Sequence, residues 1–285
     1  LDCGESGSTL RFLIPVALVL RGGGRFTGHG RLMERPLGPY LDLFREKGIV
    51  CALEDGVLTV RGRLEPGEYR LPGNVSSQFF TGLLYALPLL EGDSLLVSTT
   101  RLESVGYVNM TRQCMEQFGV HTTWTKGGIS IPGGQRYAAA QGTVEPDWSN
   151  AAFWYAAQGM GSAVEVTGMP MDSLQGDRVF LDWGRMIRGE PLSGGVTVPV
   201  LGPAGCPPMR SGEAPRGHSA SIDVSSAPDL VPPAAAWGAV MEGALYLKHA
   251  GRLRLKESDR LATVSQVLGA LGARVWEEPE RLILE

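Results

Sequence analysis

The sequence has 285 residues, 43% of them hydrophobic and 20% charged, which excludes a disordered chain and allows a packed core. Its net charge of −4 excludes the broad basic field that nucleic-acid or anionic-membrane binding requires, while 26 Lys and Arg residues are enough to line a site for a small anion. Cys3, Cys51, Cys114 and Cys206 lie far apart and form no CxxC or Cys/His ligand spacing, so reduced thiols in a cytosolic protein and no zinc are expected. The longest apolar runs, residues 12–20 and 83–90, are too short to span a bilayer, which predicts a soluble protein. The chain starts at Leu1 inside what reads as a Gly-rich turn entering a helix, so a fragment is expected.

In chain order, GESGSTLRF (4–12) sets small residues before an apolar run, so Gly7, Ser8 and Thr9 are expected to open a helix. Its free N–H groups, with Arg11 nearby, suit a phosphate or carboxylate; a Gly/Ser cap with no ligand fits the same residues. GRLMERPLGPYLDLF (30–44) carries Arg31 and Arg35 beside Pro36 at another helix start. A guanidinium there would bind an anion in bidentate fashion or be a solvated surface group. GNVSSQFFTGLLYALPLL (73–90) places Ser76, Ser77 and Gln78 before a buried helix, two hydroxyls and an amide where capping needs one side chain. GTVEPDWSN (142–150) passes through Pro146 into an apolar helix at 151–157 and marks a boundary between domains 1–145 and 146–285. The Pro- and Gly-rich run 202–217 reads as a mobile loop within the second domain.

In SSAPDLVPP (225–233), Pro228 stiffens a turn in which Asp229 either caps a helix or acts as a base. GRLRLKESDRLATV (251–264) packs Lys256, Glu257, Asp259 and Arg260 between a strand and a helix, with Ser258 as the expected cap. Glu257, flanked by Lys and Arg, is a candidate general acid or base, with salt-bridged capping as the alternative.

A longer period underlies these segments. FREKGIVCALEDGVLTVRG (44–62), MEQFGVHTTWTKGGISIPG (115–133) and LGALGARVWEEPERLILE (268–285) each read as a helix end, a capping Gly, a strand, a tight turn and a second strand. The capping glycines are Gly48, Gly119 and Gly272, and Leu261, Val264, Leu268 and Leu271 support the last helix. The second gap is about twice the first, so a degenerate copy is expected between them, at 180–198 with Gly184, Gly189 and a Gly-Gly turn before VTVPV. The prediction is an α/β (α+β) chain of about four units of about 70 to 80 residues, against a chance recurrence of common α/β punctuation.

CGESGSTLRF (3–12), LMERPLG (32–38), GNVSSQFFTGLL (73–84), LESVGY (102–107), the Pro-Asp of SAPDLVP (226–232) and LKESDRL (255–261) together resemble the EPSP synthase family, in the family's order and over essentially the whole chain. The resemblance implies two domains, each of three βαβαββ units, closing across a cleft, with about four of the six units here. It implies transfer of the enolpyruvyl group of phosphoenolpyruvate to the 5-hydroxyl of shikimate 3-phosphate with release of phosphate, a step of chorismate and aromatic amino acid biosynthesis. Carried over residue by residue, Ser76, Ser77, Gln78, Ser104, Tyr107, Asp229, Arg252 and Lys256 are implied for shikimate 3-phosphate, and Gly7, Arg35, Gln78 and Arg260 for phosphoenolpyruvate. Asp229 is the implied acceptor of the 5-hydroxyl proton and Glu257 the carboxyl that moves a proton at the enolpyruvyl carbon. Small anionic substrates, no metal or cofactor, no nucleic acid, no membrane and a monomeric full-length parent in the cytoplasm follow from the same resemblance.

The sequence departs from the family's pattern in three places. Glu5 stands where many members have Asn and would repel an anion unless paired, with Arg11 as the expected partner; Arg252 stands where Asn is frequent. The family's N-terminal Lys-Ser and Arg, and its C-terminal His-Arg and Lys, have no counterparts, so this chain alone is expected to be inactive and to expose apolar surface. The rival readings are the related UDP-N-acetylglucosamine enolpyruvyltransferase, disfavoured by SSQF, KESDRL and the lack of a suitably placed loop cysteine, and a non-catalytic homologue.

Overall fold

In a computed structural model the structure describes residues 1–190 and 218–285, which form two compact units, Leu1–Gly142 and Thr143–Glu285. The Gly-Gly turn with VTVPV and the run 202–217 lie outside the described residues.

The first unit runs α1 (Gly7–Arg21), β1 (Gly23–Phe26), a 3-10 turn (Leu32–Glu34), α2 (Gly38–Glu46), β2 (Val50–Glu54) and β3 (Val57–Arg61). It continues with β4 (Gly67–Leu71), α3 (Gln78–Ala86), β5 (Ser94–Ser98), α4 (Val105–Gln117), β6 (Thr123–Thr125) and β7 (Gly128–Ile131). The second part is a complete βαβαββ copy with sheet order β4-β5-β7-β6, in which β4 and β5 are parallel and the other neighbours antiparallel. The first part has the matching order β1-β3-β2. Residues 1–3 run parallel to the end of β1, through the Asp2–Thr27 bridge and the bonds Cys3 N–H to Thr27 O (2.8 Å) and Thr27 N–H to Leu1 O (2.9 Å), and so take the place that β4 holds in the complete copy.

The second unit holds α5 (Trp148–Gly159), α6 (Phe180–Ile187), β8 (His218–Asp223), a 3-10 turn (Pro228–Leu230), α7 (Val231–Gly238) and β9 (Gly243–Lys248). A further 3-10 turn (Gly251–Leu255), α8 (Arg260–Ala270), β10 (Val275–Glu277) and β11 (Arg281–Leu284) follow. Its sheet, β10-β11-β9-β8, again has the first two strands of the copy, β8 and β9, in parallel. Each unit has its own apolar core, one around Phe26, Phe44, Phe79 and Leu83, the other around Trp148, Phe180, Leu230 and Leu247. Burial of large side chains such as Phe79, Phe80, Leu83 and Leu84 contributes about 1.5–3 kcal/mol each, which is why so apolar a segment forms an interior helix.

Among the described residues the helix, glycine, hairpin pattern is present three times, with Gly48, Gly119 and Gly272 at φ of +70°, +79° and +93°, a backbone region where a Cβ would be strained. Three local expectations are corrected. Residues 251–255 form a 3-10 turn instead of a strand, because β9 ends at Lys248 and His249 turns the chain at φ +59°. Asp259, and not Ser258, caps α8, accepting from the Ala262 N–H at 3.0 Å; a carboxylate at a helix start is favoured over a hydroxyl by the helix dipole. Leu271 is 79% exposed because it lies past the last helical residue, where the helical period no longer applies. Gly184 is inside α6, and Gly189, at φ +68°, is the glycine that follows it.

Candidate active site

The residues singled out from sequence share one structural address. In each copy they occupy the connections that leave the carboxyl ends of the parallel strand pair and lead into the helices, the edge where open α/β sheets place ligands.

In the first unit the centre is Arg11, one turn into α1. It is 3% exposed, with Nη1 donating to Gln78 Oε1 (2.7 Å), Nη2 donating to Pro36 O (2.9 Å) and its guanidinium over the Phe79 ring at 5.0 Å. Gln78 in turn donates from Nε2 to Ser8 Oγ at 2.8 Å. Arg35 lies buried beside them: Pro36 holds Arg35 extended (φ −68°, ψ 146°), which ends the 3-10 turn and aims its guanidinium at the start of α1. Gly7 makes this possible, since a Cβ there would overlap the Arg35 guanidinium and touch Arg11 Nη1. Two guanidiniums, the Ser8 hydroxyl and the Gln78 amide therefore gather around the α1 N-terminus, a group suited to a carboxylate or phosphate. The expected pairing of Glu5 with Arg11 is not what the geometry gives: Arg11 turns to Gln78 and Pro36, while the exposed Glu5 carboxyl sits beside the backbone of Gly30.

Gly82 and Pro15 explain how the two helices come so close. A Cβ on Gly82 would overlap Tyr40 Oη and Arg11 O and crowd Pro15 Cγ, and Pro15, having no N–H, leaves the Arg11 carbonyl without its usual helical donor. The glycine lets α3 lie directly on α1, which carries Gln78, one turn earlier, onto Ser8 and Arg11.

Ser76, Ser77, Ser104 and Tyr107 line the neighbouring connections. The Ser76 hydroxyl accepts from the Gln78 N–H at 3.3 Å, while the Ser77 side chain, buried at the N-cap of α3, makes no capping bond. Ser104 is buried and left-handed (φ 54°, ψ 40°) at the start of α4, and Tyr107 lies in that helix's first turn. A non-Gly residue in that conformation costs about 1–3 kcal/mol, strain of a kind that collects at functional sites. The two connections are stitched together by Glu103 N–H to Gly73 O (3.1 Å), Gly73 N–H to Thr100 Oγ1 (2.9 Å) and the Thr100 hydroxyl to Asn74 Oδ1 (3.2 Å).

In the second unit Asp229 sits in the 3-10 turn after β8, and Lys256, Glu257 and Arg260 come from the connection after β9. Arg260 Nη1 donates to Asp229 Oδ1 (2.5 Å), Nη2 donates to Glu257 Oε2 (2.7 Å), and Lys256 Nζ lies 3.2 Å from Asp229 Oδ1. Asp229 does not cap α7; it is the shared acceptor of two cations. Arg252 donates from Nη1 to Ser225 O at 3.2 Å, bracing the turn that carries Asp229. All four charged groups keep about 22–40% of their side-chain surface open, so an incoming anion has access to Lys256 and Arg260.

The sequence marks Arg11 as a charge near the start of α1 and as a partner for Glu5, yet it is the hub of the first constellation; a lone Arg in the apolar run after Gly7 is the available signal. The sequence does not mark Ser8 as a ligand group, nor Arg254 at all. Among the described residues no group of three or more His, Cys, Asp or Glu could hold a metal ion, and no helix is long and apolar enough to cross a membrane.

The sequence model of EPSP synthase (3-phosphoshikimate 1-carboxyvinyltransferase) matches residues 1–285. Curated proteins named 3-phosphoshikimate 1-carboxyvinyltransferase from Clostridium beijerinckii and Clostridium acetobutylicum are 41% and 39% identical over 100% of this chain and 64% of their own length. EPSP synthase from Acinetobacter baumannii superposes with a TM-score of 0.68 at 21% identity, covering 100% of this chain and 64% of its own. The enolpyruvyl transferase NikO from Streptomyces tendae does so with 0.66 at 17%, covering 97% and 63%. At these identities the solved structures bear on the fold alone. The chain thus spans about 64% of the length of the curated relatives it matches.

Proposed function

This chain belongs to the EPSP synthase family, and we propose that the full-length protein transfers the enolpyruvyl group of phosphoenolpyruvate to the 5-hydroxyl of shikimate 3-phosphate, forming an enol ether and releasing phosphate. The observation that carries this reading is the pairing of residue types at equivalent edges. Buried guanidiniums, hydroxyls and an amide gather in the first unit, and a carboxylate shared by two cations lies in the second, as transfer between two anions needs.

In this reading Gly7, Arg35, Gln78 and Arg260 bind phosphoenolpyruvate, and Ser76, Ser77, Gln78, Ser104, Tyr107, Arg252, Lys256 and Asp229 bind shikimate 3-phosphate. Asp229 takes the 5-hydroxyl proton as the oxygen attacks C2 while Glu257 delivers a proton to the methylene carbon, and a proton returns from the resulting methyl group to the carboxylate as the C2–phosphate bond breaks, which restores the double bond. Arg260 bonds both carboxylates, so an anion that takes over its fork leaves Asp229 with Lys256 as its remaining cation. Residues 1–145 and 146–285, within three residues of the division between the two compact units, would be parts of two enolpyruvyltransferase domains in a monomeric cytoplasmic enzyme that needs neither metal nor cofactor.

The test is phosphate release from phosphoenolpyruvate plus shikimate 3-phosphate, by the 285-residue chain and by a chain extended to its relatives' length, with UDP-N-acetylglucosamine as the competing acceptor. Turnover of shikimate 3-phosphate by the extended chain alone is expected. Absence of turnover in both, or preference for the nucleotide sugar, overturns the reading.

A further inference from the structure

The segment carrying Lys256, Glu257 and Arg260 is not held by burial. Leu255 is 48% exposed and Glu257 and Ser258 are exposed, so between the buried Leu253 and Leu261 no apolar side chain anchors it. Its fastening is polar and concentrated on one residue. Arg254 donates from Nη1 to Asp259 Oδ2 (3.0 Å) and Glu277 Oε1 (2.7 Å), from Nη2 to Glu278 O (3.0 Å) and from Nε to Pro279 O (3.4 Å). Asp259 gives its other oxygen to the Ala262 N–H, so the carboxylate that Arg254 grips is the one that fixes where α8 begins, and Arg260 is the first residue of that helix. The upstream end of the segment is tied to the same hairpin turn by the Ala250 N–H to Glu280 O (2.8 Å), with Gly251 lying where a Cβ would overlap the Glu280 carboxyl.

We infer that Arg254 is a positioning residue, clamping the 250–259 segment onto the turn between β10 and β11 and thereby setting where Arg260, Lys256 and Glu257 meet Asp229. A guanidinium fits the task because its planar fork presents donors along two edges, to two carboxylates on one and two carbonyls on the other; the three donors of an ammonium radiate from a single nitrogen and do not span both edges. The clamp acts through Asp259 and touches no reacting atom. Its kinetic test rests on the proposed activity; its structural test does not.

Arg254→Met and the milder Arg254→Lys are compared in the extended chain with Arg281→Met, which removes a different guanidinium from the same hairpin, the one bonded to Glu278 at 2.5 and 3.0 Å. A misplacement of about 1 Å at a reacting group costs about 100-fold, so Arg254→Met is expected to lower kcat/KM about 100-fold, with kcat falling as well as KM rising. Arg254→Lys is expected to recover less than about a tenth of the loss, and Arg281→Met to stay within about two-fold of the parent. Equal losses in Arg254→Met and Arg281→Met, or full activity in Arg254→Lys, overturn the inference. Amide exchange of Ala262 and Thr263 decides it independently of turnover: exchange about ten-fold faster in Arg254→Lys, with β8 and β9 unchanged, supports the clamp, and unchanged exchange refutes it. If the parent makes no product, the enzyme reading fails while exchange still decides the role of Arg254.

Discussion

The copy from β4 to β7 and the copy from β8 to β11 share one topology, one sheet order and one parallel pair, yet their active edges differ in chemistry. The first presents Ser76, Ser77, Gln78 and Ser104, neutral groups with fixed directions, and borrows its positive charge from Arg11 on the neighbouring copy. The second presents Asp229, Lys256, Glu257 and Arg260, a balanced ionic cluster that is partly open to solvent. The repeated backbone supplies addresses, and the residue types written into them decide whether an edge presents neutral hydrogen-bonding groups or an ionic cluster.

That contrast is broken most severely by neutralising the ionic edge. Asp229→Asn in the extended protein is expected to lower kcat by about 10²–10⁴-fold, as loss of a proton-transfer group does, with little change in the thermal midpoint because the carboxylate lies at a solvated edge. A loss confined to KM would make Asp229 a binding group only. Gln78→Ala tests the neutral edge. It takes an acceptor from the buried Arg11 and should cost about 1–3 kcal/mol in urea unfolding, along with affinity for phosphoenolpyruvate measured by titration.

Gly82→Ala attacks the scaffold beneath the neutral edge. Pushing α3 off α1 should destabilise by about 1–3 kcal/mol and weaken the same affinity, while a residue tolerated at that position with no effect would mean the helices separate freely. The smallest effect separates the edges by pH. Burial alone would raise the Asp259 carboxyl, but the Ala262 N–H and the Arg254 guanidinium outweigh it and hold the group below its ordinary value. Because the folded value is the lower one, its stabilisation is present above the unfolded value of about 3.9 and is lost as pH falls through the folded one. The unfolding free energy from urea titrations should drop by less than about 1 kcal/mol between pH 6 and pH 3 on this account, the group being partly solvated, and Asp259→Asn should flatten that drop.

The repeating units were legible because helix ends and hairpins are local: Gly48, Gly119 and Gly272 sit where only a residue without a Cβ is unstrained, and the strands that follow alternate as hairpins do. The positions of Asp229, Lys256 and Arg260 were legible as motifs, but their mutual contact was not, since 27 and 31 residues separate Asp229 from its two cations and only the parallel β8–β9 pairing brings the connections together. Arg11 was underrated for the same reason: its partners Gln78 and Pro36 are 67 and 25 residues away. The 3-10 turn at Gly251–Leu255 was misread because GRLRL alternates like a strand while its backbone is set by the turn at His249 and the ties to Glu280 and Pro279.

By itself the sequence determined the α/β grammar, the repeated unit and the residue types at each strand-to-helix connection, because caps, turns and hydrophobic period act over a few residues. The tertiary structure alone decided which of those residues meet. Close approach of α1 and α3 at Gly82 buries a guanidinium against an amide, and the clamp of Arg254 on the β10–β11 turn aims Arg260 at Asp229. Such contacts depend on packing between segments far apart in the chain, and no local pattern of residues specifies them.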